Sequence, residues 1–152
     1  MSTITAIDPG TTQSAVVHWD GQRILGHSII PNSQLLSSAR QWSRGANRVP
    51  VVIEMIASYG MPVGRDVFET CLLIGRLMEI CGPTTRLIYR MDVKMHLCHN
   101  TRAKDGNIRQ ALIDRFGAPG LKKSPGVTYG LRADEWQAFA LAVTALETQP
   151  AQ

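Results

Sequence analysis

Two acidic residues stand where an apolar run stops. Asp8 closes Ile4-Thr5-Ala6-Ile7, and Glu54 closes Val51-Val52-Ile53. Short apolar runs bounded by turn formers read as strands. Pro9, Gly10, Thr11 and Thr12 follow Asp8. They turn the chain and leave room beside the carboxylate for a phosphate or a metal. If the two strands are parallel neighbours, both acids lie at the carboxyl end of one sheet, where open α/β sheets bind ligands. Paired carboxylates there suit a divalent cation. The plainer alternatives are a turn-forming aspartate and a glutamate neutralised by a cation of the protein itself. A third acidic group, Asp134-Glu135, opens a helical segment near the C-terminus, where either residue alone fits a helix cap. Two strand-end acids with an acid at the start of a closing helix can hold two Mg²⁺ ions across a scissile phosphate.

The elements that must position these acids follow from periodicity and turn residues. Residues 4–7, 14–19 and 23–30 read as three strands of a meander, with Asp20-Gly21 as the first hairpin turn. Asn32 or Ser33 would cap a helix to about residue 44, with Leu35, Leu36, Ala39 and Trp42 inward. Residues 51–54 form a fourth strand and 57–64 a loop. A helix over 65–80 carries Phe68, Cys71, Leu72, Gly75 and Met78 as one stripe. A fifth strand spans 86–89, a short helix 92–97, a basic loop 100–104 and a helix 107–116. Residues 117–130, with four glycines and two prolines, read as a long mobile loop. The last helix, 133–146, turns Trp136, Phe139, Ala140 and Val143 inward. This order predicts an α/β fold, a five-stranded mixed sheet with helices on both faces. Residues 1–147 form one domain and 148–152 a disordered tail.

With those elements in place, the chain resembles the RuvC-type Holliday-junction resolvases, of the RNase H-like nucleases. Ile7-Asp8-Pro9-Gly10 matches that family's first motif, and Val52-Ile53-Glu54 resembles the second. Asp92-Val93-Lys94 with Ala103-Lys104 resembles its basic segment. Ala133-Asp134-Glu135-Trp136-Gln137-Ala138-Phe139-Ala140-Leu141-Ala142 resembles its final alanine-rich helix. The motifs occur in family order over nearly the whole chain. The resemblance implies an RNase H-like fold and a Mg²⁺-dependent endonuclease, Mn²⁺ substituting, with two ions per site. It also implies a homodimer cutting branched DNA, above all four-way junctions, by paired nicks. The setting implied is the cytoplasm of a bacterial cell or of a phage-infected host. The metal site would use Asp8, Glu54 and Asp134, with Glu135 as substitute or supplement. One departure stands out: the family's second acid in the last helix is replaced by Gln137, a poorer Mg²⁺ ligand. Asp134 and Gln137 share a helix face, whereas Glu135 lies about 100° away, which favours Asp134.

Lys94, with a role at the reaction centre, and Lys104 match positions where the family sets cations near DNA. Arg90, Arg102 and Arg109 lie nearby, Lys122-Lys123 is a further basic pair, and Tyr59 resembles the family's aromatic near the junction centre. The helix over 65–80 is the expected dimer face, through Cys71, Ile74, Gly75 and Met78. Two other readings compete. Asp8-x-Gly10-Thr11-Thr12 also resembles the phosphate loop of sugar-kinase/actin-class (ASKHA) phosphotransferases, although those need two such domains. A binding module with a decayed site would explain Gln137.

The composition fits these readings. The chain of 152 residues has 16 Lys+Arg against 12 Asp+Glu, a net +4 that suits a polyanionic partner. Three spaced cysteines, Cys71, Cys81 and Cys98, read as reduced thiols. His96, Cys98 and His99 lack the spacing of a zinc site. Asp8 interrupts the first apolar run, so no signal peptide is expected, and no apolar stretch is long enough for a membrane helix.

Overall fold

The computed structural model describes residues 2–150. Strands β1 (Ile4–Asp8), β2 (Gln13–Trp19) and β3 (Ile24–Pro31) form the expected antiparallel meander. Helix α1 (Asn32–Trp42) then crosses to β4 (Val51–Met55), which lies parallel to β1. Helix α2 (Arg65–Cys81) leads to β5 (Arg86–Tyr89), parallel to β4. The sheet order is β3-β2-β1-β4-β5. Helices α3 (Arg90–Cys98), α4 (Asp105–Phe116) and α5 (Glu135–Glu147) complete the chain. The expected mixed five-stranded sheet between two helical layers is therefore present.

Side-chain alternation along the strands divides the core in two. Ile7, Val16, Val51 and Ile53 pack on Leu35, Leu36 and Ala39 of α1 and on Leu73, Ile74 and Leu77 of α2. Ile4, Ala6, Val17 and Val52 face the other way, with α3, α4 and α5. On that side Trp19 and Phe139 meet edge to face at 4.9 Å, and Phe116 joins them. Such pairs add about 0.5–1.5 kcal/mol each to the area they bury. Helix α5 is buried from Glu135 to Ala145 on every side, not along one stripe. It lies on β1 and β2 beneath α3 and α4, and Ala138, Ala140, Ala142 and Ala145 allow the close approach.

Four local expectations are corrected. Asn32 does not cap α1. Its amide donates to the carbonyls of Gly10 and Thr11 at 3.0 Å, and its Oδ1 accepts from Ser14 Oγ at 2.7 Å, which ties down the β1–β2 turn. Gly10 is required in that turn, since a Cβ there would stand 2.3 Å from the Gln13 carbonyl oxygen. On α2 the stripe of Phe68, Cys71, Leu72, Gly75 and Met78 faces outward, and Thr70, Leu73, Ile74, Leu77 and Cys81 face the sheet. The segment 117–130 is not a structureless loop. It contains a small hairpin of β6 (Gly120–Leu121) and β7 (Ser124–Pro125), closed so tightly that a Cβ on Gly126 would lie 2.2 Å from the Ala118 oxygen. Helices α3 and α4 each begin two residues earlier than periodicity suggests, at Arg90 and Asp105. Of the expected disordered tail, Thr148 is tied by its hydroxyl to the Thr144 carbonyl at 2.7 Å, while Ala151 and Gln152 lie outside the described residues.

Candidate functional site

Ile7 of β1 stands beside Ile53 of β4 in the parallel register. One residue further, Asp8 and Glu54 are neighbours at the carboxyl ends of the two central strands. Ala6 and Val52 face α5, so alternation turns both acids toward the same face. On the next strand Ile88 pairs with Glu54. Two residues on, Arg90 opens α3 and donates from Nε to Glu54 Oε1 at 2.8 Å. Its Nη1 reaches Asp105, at the start of α4, at 3.4 Å. One guanidinium thus bridges a strand-end acid and a helix-start acid.

The electrostatics of the pair follow from its burial. Burial first and the Glu54 charge second push the Asp8 carboxyl up to about 8 from 3.8, and Arg90 only partly offsets them. Asp134 and Asp105 raise it further. Glu54 is also pushed up by burial, and Arg90 opposes the shift through its charge and hydrogen bond. Two adjacent carboxylates in a partly dry site do not both ionise readily without a stronger cation. Among the described residues, Asp8 has no side-chain hydrogen bond or ion pair.

Arg90 lines one hollow, and its partner Asp105 lines another. One, of about 280 Å³, is lined by Asp8, Glu54, Arg90 and Tyr59. Tyr59 is 55% exposed and held at φ 50°, in the left-handed region, so the loop presents its ring beside the acids. The other, of about 310 Å³, is lined by Asp105, Arg109, Asp134, Trp136 and Gln137. Arg109 stacks on the Trp136 ring at 4.5 Å. Asp134 occupies the N-cap position of α5, yet its side chain makes no capping hydrogen bond. Its carboxylate is free to face the hollow.

The structure therefore brings Asp8, Glu54, Asp134, Arg90, Arg109 and Tyr59 to one region. Glu135 does not join them. It is 1% exposed and its Oε2 is paired with His27 Nδ1 on β3, with Arg132 Nε 3.4 Å from its Oε1. The sequence reading of Glu135 as a metal ligand is corrected: the 100° step that separates it from Asp134 points it at the outer strand. Lys94 lies one turn beyond Arg90 on α3, half-buried, and touches none of the acids. Lys104 and Arg102 are exposed just before α4, where Asn107 Oδ1 accepts from the Lys104 backbone N–H at 2.9 Å. Asp105 was missed. It falls between the basic loop read at 100–104 and the helix read from 107, and only the earlier start of α4 and its contact with Arg90 bring it to the site.

Among the described residues, no three carboxylate, imidazole or thiol side chains close into a preformed metal cage. The donor chemistry nonetheless fits a divalent cation. Oxygen ligands predominate, Asp8 lacks a partner, and of the four acids Asp8, Glu54, Asp105 and Asp134, Arg90 pairs with Glu54 and Asp105 alone among the described residues.

Comparison with known proteins agrees with the fold. No family model matches the chain, and no curated protein matches its sequence. Two solved structures of RuvC from Thermus thermophilus do match. One, in complex with a Holliday junction substrate, gives a TM-score of 0.66 at 15% identity, covering 96% of this chain and 93% of that one. The other gives 0.65 at 16% identity, covering 95% and 93%. At such identity the likeness shows the fold: this chain has the RuvC, RNase H-like architecture. No helix among the described residues is long and apolar enough to cross a membrane.

Proposed function

We propose that this protein is a divalent-metal-dependent endonuclease that cuts branched DNA, with four-way junctions as its main substrate. The observation that carries the reading is the side-by-side burial of Asp8 and Glu54 at adjacent parallel strand ends, with Asp134 presented from α5. Asp8, Glu54 and Asp134 would hold Mg²⁺ or Mn²⁺, two ions per site. Bound there, the metal supplies an activated water and charge stabilisation at the departing 3′ oxygen. The chain's own residues do the rest. Asp8 and Glu54 fix the reaction centre at the carboxyl end of the two central strands. Arg109, Lys104, Arg102 and Lys94 neutralise backbone phosphate along the same side. Arg90 balances the acids until a cation replaces it. Tyr59 offers an aromatic face to an unstacked base.

A four-way junction has two-fold symmetry, which a symmetric dimer would match. The outward strip of α2 supports that assembly. Phe68 is 63% and Leu72 70% exposed, an apolar surface suited to pairing with its own copy. Ile74 is buried against the sheet and is not part of this face.

The test is cleavage of a synthetic four-way junction and of linear duplex in Mg²⁺. Asp8→Asn and Glu54→Gln should abolish cutting while junction binding persists. Cutting near the wild-type rate by either variant would reject the site. Junction binding without cutting by the wild type would leave a binding module, and ATP hydrolysis would favour the phosphotransferase reading.

A further inference from the structure

Gln137 is 5% exposed, yet among the described residues its amide makes no hydrogen bond to another protein group. It lines the hollow that Asp105 and Asp134 also line. The residue as a whole is nine-tenths buried, and its amide opens onto this polar hollow, where a ligand entering the hollow can meet it. The surroundings say which kind. Asp134 has no cap bond and, among the described residues, no ion pair. Asp105 sits in the first turn of α4, held, among the described residues, only by the far end of the Arg90 guanidinium at 3.4 Å. Arg109 shares the hollow but lies on the Trp136 ring, not on either carboxylate. Two carboxylates and an amide oxygen make a hard donor set for Mg²⁺ or Mn²⁺, and a glutamine alone does not.

We propose that Asp105 supplies the carboxylate that Gln137 does not, so that Asp105, Asp134 and the Gln137 amide oxygen form a second divalent-cation subsite across Arg90 from Asp8 and Glu54. This rests on the nuclease reading above and names the residues that complete its site. The acid has moved from the closing helix to the start of α4, and the total of four acids is kept. Arg90 links the two halves. Its Nε holds Glu54 and its Nη1 holds Asp105, so a cation entering either half displaces one end of the same side chain.

Calorimetric titration of Mn²⁺ into the full chain separates the possibilities without reference to activity. The wild type should bind two ions, and Asp105→Asn should weaken one of them by about tenfold or more. Gln137→Asp, added to Asp105→Asn, should restore both the lost binding and cleavage, since it returns a carboxylate to the same hollow. If Asp105→Asn binds two ions with wild-type affinity, the proposal is wrong. It is also wrong if Asp105→Asn and Arg90→Gln slow cleavage alike with Mn²⁺ binding untouched, because Asp105 would then only steady Arg90. Asp8→Asn serves as the control. If it cuts normally, the nuclease site itself fails; if it is inactive while Asp105→Asn behaves as wild type, only the second subsite fails. Asp105 is exposed, so its variant is not expected to unfold the chain.

Discussion

Replacing Asp8 by asparagine should stabilise the metal-free protein while removing its activity, and the gain should depend on pH. Burial and Glu54 push the Asp8 carboxyl from 3.8 to about 8. The folded protein then keeps a proton that the unfolded chain has released. Where the native state binds the extra proton, stability falls as pH rises. The penalty is absent below about pH 4, grows through the interval, and is complete above about pH 8. At about pH 7 the interval corresponds to roughly 4 kcal/mol, at 1.36 kcal/mol per unit. Burial of Asp8 itself is the largest cause, so removing this acid from the coupled pair should recover at least roughly 2 kcal/mol. For a chain of this size that is a rise of about 4–8 °C in Tm. Thermal unfolding at about pH 5 and about pH 8, with and without Mg²⁺, measures it. The gain should be large at the higher pH and small at the lower one. Mg²⁺ should raise the Tm of the wild type by more than that of the variant, because at the Asp8–Glu54 pair the cation relieves the repulsion that asparagine has already removed. A lower Tm for Asp8→Asn at the higher pH, or an equal response of both proteins to Mg²⁺, would refute the argument.

Other substitutions separate chemistry from structure. Asp134→Asn should abolish cleavage with little change in Tm. Glu135→Gln should lose about 1–3 kcal/mol by weakening the buried pair with His27, yet cut at nearly the wild-type rate per folded molecule. Leu72→Arg on the outer strip of α2 should yield monomers by light scattering and leave the fold intact by circular dichroism. Lys104→Ala and Lys94→Ala should each weaken junction binding and lower the salt dependence by about one phosphate contact; an unchanged slope would remove that lysine from the DNA surface.

Much of the fold was readable because its signals are local. Apolar runs ending at Asp8, Trp19 and Glu54 and the Asp20-Gly21 turn mark elements without reference to the rest of the molecule. The α2 stripe was readable as a stripe but not as to which way it faces. Phe68 and Leu72 are as apolar as Leu73 and Leu77, and only the crossover from β4 to β5 decides which side meets the sheet. The hairpin within 117–130 was hidden for a different reason. Glycine-rich composition signals a flexible loop, but Gly120 and Gly126 serve here to let backbones touch. Such contacts leave no periodic trace.

The candidate site divides along the same line. Asp8 and Glu54 could be found because a carboxylate ending a buried strand conflicts with its surroundings, and such conflicts mark functional positions. Asp134 could be chosen over Glu135 because helical geometry separates adjacent residues by about 100°; the pairing of Glu135 with His27 agrees with that choice. Asp105 offered no conflict. An aspartate beside Lys104 and before Gly106 looks like any solvated turn. Its relation to Asp8 and Glu54 exists only because β5 lies next to β4, which sets Arg90 beside Glu54 and brings the start of α4 within reach of the same guanidinium. A site assembled from strand ends can be sought in the sequence, since strand ends are visible there. A ligand contributed from the far side of a bridging arginine requires the fold. Under the proposed second subsite, Gln137 is compatible with a working centre, because Asp105, on an element that no motif covers, would supply the carboxylate that Gln137 lacks.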